Sequence, residues 1–144
     1  TLSEISEILG LEIPESLKNP AEETYNLVLI CAPTEVPSEP EKREERLALV
    51  FETTQPDQAR DSLKEWEATM AKDLEGLMLE PPGQEATAEF QETVYKGAAL
   101  RYKNLPRSSL TVDYTVSQDI IIITTSKQSI YTIYELVLNQ PLGS

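Results

Sequence analysis

Apolar residues open the chain at helical spacing. Leu2, Ile5, Ile8 and Leu9 recur with Ser3, Glu4, Ser6 and Glu7 between them, which predicts a short amphipathic helix ended by Gly10. Leu11 and Ile13 follow, and Pro14 and Pro20 then punctuate a second short segment, Glu15 to Lys18. The run from Tyr25 to Ala32 has strand length and β-branched content, and predicts the first strand. Arg46 to Thr53, carrying Leu47-Ala-Leu-Val-Phe51, predicts a second strand returning antiparallel to it. Residues 33–45 hold three prolines and seven charged residues without apolar periodicity, so they are expected to form a mobile connection.

The strongest helical pattern comes next. Thr54 is the expected N-cap, Pro56 lies in the first turn, and Asp57 and Asp61 stand near the positive end. Ala59, Leu63, Trp66, Met70, Leu74 and Leu77 then fall on one stripe, so one long helix is predicted, with Gly76 loosening its end. A lone tryptophan at core periodicity reads as packing rather than as a ligand platform. Pro81-Pro82-Gly83 breaks the chain. Phe90–Tyr95 and Ala98–Leu105 flank Lys96-Gly97 as two strands about a tight turn.

Leu110, Val112, Tyr114 and Val116 alternate with Thr111, Asp113 and Thr115, the period of a half-buried strand. Ser117-Gln118-Asp119 turns it into Ile120–Ile123, expected as a central strand covered on both faces. Thr124-Thr125-Ser126 leads into a last helix whose Ile130, Ile133, Tyr134 and Val137 share a face, stopped by Pro141. The order of elements predicts an α+β fold, a mainly antiparallel sheet with helices packed on one face as a two-layer sandwich. Residues 1–144 read as a single domain: a helical segment over 1–20, the connection at 33–45 and a main core over 46–138.

Composition then narrows the function. Twelve Lys and Arg against 25 Asp and Glu leave a net charge of −13. Such a surface repels nucleic-acid backbones and anionic membranes, so no nucleic-acid partner is expected. Histidine is absent and Cys31 is the only cysteine, which removes zinc sites of Cys/His type, internal disulfides and the commonest general base. Cys31 lies within Leu27–Ala32 and reads as a core thiol. No phosphate-cradling, dinucleotide, calcium-loop or nucleophile-elbow motif occurs, so no cofactor or metal is expected. The carboxylate pairs Asp57/Asp61 and Glu41/Glu45 sit in a helix first turn and a solvated loop, where nothing desolvates them. The hydroxyls of Thr124-Thr125-Ser126 could hold an anion but read as a helix cap. An enzyme built here would have to work with carboxylates or serine alone, in a deep polar pocket holding two desolvated acids or a serine bonded to lysine; the expectation is that this is not an enzyme.

Two surface segments are left over. One is the basic stretch Lys96, Arg101, Lys103 and Arg107, expected on the solvated side of the sheet with Arg101 opposite Asp113. The other is the acidic connection, represented by Glu41, Arg43 and Glu45. Together they are the candidate interaction surface. No stretch reaches the ~18–20 apolar residues needed to span a bilayer, and no basic and apolar leader opens the chain. The chain starts at Thr1 and ends in Gly143-Ser144, a pair that a cloning junction leaves, so it reads as an excised fragment.

Four stretches carry a resemblance: Leu63-Lys-Glu-Trp-Glu-Ala-Thr-Met70, Val94-Tyr-Lys-Gly-Ala-Ala-Leu-Arg-Tyr-Lys-Asn-Leu-Pro106, Leu110-Thr-Val-Asp-Tyr114 and Ile122-Ile-Thr-Thr-Ser126. They resemble an uncharacterised family of envelope-associated domains of candidate-phyla bacteria, usually found downstream of one transmembrane helix. The resemblance spans residues 46–138 and, more loosely, Ile8–Leu17. A broader similarity is to extracytoplasmic domains with repeated strand–helix–strand units ending in a Thr-Ser turn before a helix. These motifs are structural and carry over no site residue. What they imply is a membrane-tethered domain outside the cytoplasmic membrane, its anchor lying outside this chain. The expected role is non-catalytic contact with another envelope or surface protein; the alternative is binding of an anionic envelope polymer through the Lys96–Arg107 strip.

Overall fold

The computed structural model describes residues 2–18, 21–33, 43–78, 89–105 and 110–138, with 21–33 and 43–46 seen through their backbone pairing. Helices α1 (Leu2–Leu9) and α2 (Glu15–Lys18) precede strands β1 (Ala21–Pro33) and β2 (Arg43–Thr53). Then come α3 (Pro56–Trp66), α4 (Met70–Asp73), a 3₁₀ turn over Glu75–Leu77, strands β3 (Gln91–Tyr95), β4 (Ala98–Asn104), β5 (Thr111–Ser117) and β6 (Ile120–Thr124), and α5 (Lys127–Leu138). The strands form one antiparallel sheet in the order β1-β2-β6-β5-β4-β3. The α+β class expected from the pattern is the class observed.

The β2–β6 ladder sorts the sheet's side chains into two cores. Leu49 faces Ile123 and Phe51 faces Ile121, while Val50 faces Ile122 on the other side. Leu49, Phe51, Val112, Tyr114, Ile121 and Ile123 pack under the first four helices, against Leu11, Ile13, Leu17, Leu63, Trp66, Met70, Leu74 and Leu77. Ala48, Val50, Leu100 and Ile122 pack under Ile130 and Ile133 of α5. Helices therefore cover both faces, which corrects the two-layer arrangement. The apolar stripe of α5 can be buried only where the sheet is still bare, and the other face is already taken. For the same reason β5 is covered on both sides rather than half-buried: Thr111, Asp113 and Thr115 are buried along with Val112 and Tyr114. The isoleucine run is central as expected, with Ile121, Ile122 and Ile123 fully enclosed.

Turn chemistry agrees with the sequence. Lys96 and Gly97 both have positive φ, 48° and 83°, as the two-residue turn joining β3 to β4 requires. Gly10, φ 69°, ends α1. The long helix is corrected. It ends at Trp66, and Glu67-Ala-Thr69 forms a tight turn before α4. The Asp73 carboxylate gathers the break, accepting from the Trp66 indole Nε1 at 2.8 Å and from Thr69 Oγ1 at 2.6 Å. The apolar stripe survives because Trp66 and Met70 remain four positions apart and buried. Its N-cap is Gln55 rather than Thr54, and no side chain caps it. The start of α5 is capped as expected: Ser126 Oγ accepts from the Ser129 amide at 3.1 Å, while the Thr124 and Thr125 hydroxyls donate to the Ser126 and Leu47 carbonyls. The connection at 33–45 is shorter than expected, since Pro33 and Arg43–Glu45 are paired strand; 34–42 lie outside the described residues, as do Pro81–Gly83 and Pro141.

Candidate functional site

At one end of the sheet the ladder between β4 and β5 stops short. The β4–β5 register runs from Asn104↔Thr111 to Arg101↔Tyr114 and stops there. Beyond it, Ala98–Ala99–Leu100 stays paired with β3 and Thr115–Val116–Ser117 with β6, but not with each other. The Thr115 hydroxyl holds the two strands together there, donating to the Ala99 carbonyl at 2.9 Å. A cleft of about 550 Å³ lies over these strand ends, within the size range of ligand sites. Its floor is small: Gly97, Ala98 and Ala99 on one strand, Thr115, Val116 and Ser117 on the other. Its rim is charged, with Arg60, Asp61 and Lys64 from α3, Glu92 from β3, Lys96 from the turn and Arg101 from β4.

Arg101 sits at the inner wall, tied to the break in the helical layer. Its guanidinium donates through Nε and Nη2 to the two oxygens of Glu67, the second bond at 3.0 Å, and Nη1 lies 3.8 Å from Glu92. Tyr114 Oη donates to the same Glu67 carboxylate at 2.5 Å. Burial alone would push the Glu67 carboxyl up, yet the hydrogen bonds from Arg101 and Tyr114 outweigh it and hold it below its ordinary value. The bond to Glu67 in turn raises Arg101 above its usual range. The turn at 67–69 thus lets one carboxylate leave the helix and clamp the helical layer to β4 and β5.

The second cationic position is fixed by a tyrosine cluster. Lys96 is ion-paired with Glu135 of α5, which also accepts from Tyr95 Oη at 2.6 Å. The hydrogen bond to Glu135 raises both Lys96 and Tyr95. The Tyr95 ring stacks near Tyr131, centroids 4.3 Å apart, and meets Tyr134 edge-on at 5.6 Å. Arg60, whose pairing with Asp57 is on the surface, and Lys64 are exposed on α3.

The basic strip expected along 96–107 is only partly assembled. Lys96 and Arg101 reach the cleft, Lys103 stands opposite Val112 farther along the sheet, and Arg107 lies outside the described residues. Arg101 does not face Asp113. It pairs with Tyr114, and Tyr102 pairs with Asp113, so the two charges project from opposite faces. The expected solvated pairing is corrected: an unseen partner, Glu67, holds Arg101 half-buried. Arg43 and Glu45 fall on β2 at the far end of the sheet from Lys96, paired through their backbones with Pro33 and Cys31, and Glu41 lies outside the described residues. Among the described residues, the backbones of Arg43 and Glu45 thus stand at the opposite end of the sheet from Lys96. What the sequence reading missed is α3: Arg60 and Lys64, one helical turn apart, face the cleft, a spacing visible in the sequence once that helix is laid over the 98–101 strand.

The acids of the cleft, Asp61 and Glu92, are exposed, not desolvated. Among the described residues, the carboxyl most altered by its surroundings is elsewhere, beneath α5. Asp113 is pushed up to about 7 by burial, against the opposing hydrogen bond from Thr111 Oγ1 and the charge of Lys127. Among the described residues no cluster of three metal-ligating side chains occurs, and no helix is long and apolar enough to cross a membrane. Comparison of the chain with protein-family models, curated proteins and solved structures finds no match.

Proposed function

We propose that this domain is a non-catalytic module of a membrane-anchored protein, lying outside the cytoplasmic membrane, that contacts another protein of the cell envelope. The observation that carries this reading is the charged cleft over the end of the β4–β5 ladder. In a chain of net charge −13, four of twelve cations gather around one open cleft whose acids remain solvated. That arrangement suits recognition of an opposite charge. The extracytoplasmic placement rests on the resemblance of residues 46–138.

The test is affinity capture from envelope and cytosolic extracts with the parent domain and with the Arg60→Glu/Lys64→Glu variant. A saturable envelope protein retained by the parent, released by salt and lost in the variant is the expected result. Retention of nothing specific, or retention of cytosolic proteins alone, overturns the reading. A second reading, an anionic envelope polymer in the same cleft, is favoured by the convergence of Lys96 and Arg101 with Arg60 and Lys64; salt-sensitive binding of oligogalacturonate would support it.

A further inference from the structure

The cleft's geometry specifies what kind of opposite charge it fits. Arg60 and Lys64 stand one turn apart on α3, so their anchor points are roughly 6 Å apart. In an extended peptide, side chains on one face recur every second residue, about 6.6 Å. Two carboxylates at positions i and i+2 would therefore meet both cations at once. The acids Asp61 and Glu92 intervene on the same rim, so a uniformly dense polyanion is repelled where an alternating one is not.

The floor favours a peptide over a sugar. Gly97, Ala98 and Ala99 bring no side chain large enough to keep a ligand's main chain away from the strand, and past Arg101↔Tyr114 the two strands are joined by the Thr115 hydroxyl rather than by ladder pairs. Glycan sites use an open aromatic face for the sugar ring. Here the tyrosines on the cleft are engaged: Tyr134 is set edge-on against Tyr95, and Tyr114 donates its hydroxyl to Glu67.

We propose that the cleft between α3 and the adjoining ends of β4 and β5 binds an extended acidic peptide segment with carboxylates at alternate positions, its side chains read by Arg60 and Lys64 and its main chain lying over Ala98–Ala99. This rests on the recognition role proposed above and names the ligand of the same site.

The experiment titrates the intact domain with an end-blocked octapeptide of alternating Glu and Ser, an isomer with its four Glu grouped together, the Lys/Ser counterpart and an oligogalacturonate of equal charge. The alternating peptide is expected to bind at low salt, to weaken at least tenfold on raising NaCl from 50 to 300 mM, as screening of several charges implies, and to bind several-fold tighter than the grouped isomer. Arg60→Glu/Lys64→Glu should weaken it at least tenfold. Ala99→Trp, which fills the exposed floor without changing charge, should do the same, and circular dichroism checks that both variants are folded. Equal binding by Ala99→Trp, no discrimination between the two peptide isomers, or tighter oligogalacturonate binding each overturns the proposal. Peptide binding without any envelope protein captured would leave the cleft assignment standing and overturn the envelope role; capture insensitive to both variants would do the reverse.

Discussion

Two single residues carry more of this structure than their type suggests. A Cβ built on Gly76 would lie 1.9 Å from the Leu9 carbonyl oxygen, a backbone atom that can move only if α1 moves with it. Gly76→Ala should therefore cost about 2 kcal/mol or more by forcing the N-terminal helices off the 3₁₀ turn, measurable by urea denaturation. A variant as stable as the parent would show that α1 does not pack there. The sequence marked Gly76 as a loosening of a helix end; its close-approach role depends on Leu9, far away in the chain, and no local pattern records it.

Asp113 has the reverse character. Its carboxyl is raised to about 7 in the fold from an ordinary value near 3.8, so the folded state holds a proton through the window between these values. Its contribution is therefore full below about pH 4 and is lost as pH climbs to 7, by at most about 4 kcal/mol. Glu67, held low, acts in the other direction and only below its ordinary value, so the two windows are separable. Asp113→Asn should be more stable than the parent at pH 8, with the advantage shrinking at pH 5, in denaturant melts at fixed high salt. A parent equally stable at both pH values would show that Asp113 is not buried as described. In the sequence Asp113 belongs to a tidy polar–apolar alternation, Leu110 to Val116. The polar set looked solvated because Thr and Asp are ordinarily outside; that Thr115 and Thr124 satisfy their hydroxyls on internal carbonyls is a tertiary fact.

Among the elements, α3 was legible in its stripe and illegible in its end. Ala59 to Leu77 keep apolar spacing straight across the break, and periodicity cannot see a turn that preserves phase. The break follows from polar partners supplied by other elements: Asp73 collects Trp66 and Thr69, and Glu67 reaches Arg101 and Tyr114. A double-mutant cycle with Glu67→Gln and Arg101→Met should give a coupling on the order of 1–2 kcal/mol, with each single change costing more than the pair would suggest, because it strands a half-buried charge. Additive effects would mean that the clamp is only a surface pair. The placement of α5 could have been read earlier. A strand run of isoleucines expected to be covered twice already demands apolar cover on both faces of the sheet, and Ile122 finds it in Ile130 and Ile133.

The molecule as a whole is governed by its charge of −13 and by its two cores. Self-repulsion of the folded state is screened by salt, so raising NaCl from 20 to 300 mM at pH 7.5 should raise the melting temperature by a few degrees; a fall would show that attractive pairs such as Lys96–Glu135 dominate instead. At this scale the α+β class, most strand positions and both hairpin turns of the second half were legible, because each depends on local period and turn residues. The cleft was not. It arises from where the β4–β5 ladder stops and from what α3 lays above it, and both are relations between elements distant in the chain.

The seam between β2 and β6 has a consequence for how the chain comes into being. Every other strand pairing in the sheet joins neighbours along the chain; this one joins an early strand to the last. During synthesis β2 must wait, with Leu49 and Phe51 on one side and Val50 on the other, until Ile120–Thr124 has emerged to cover its open edge. An apolar edge left waiting is a template for pairing with another nascent chain. A net charge of −13 on the whole chain works against such pairing, because like-charged chains repel one another.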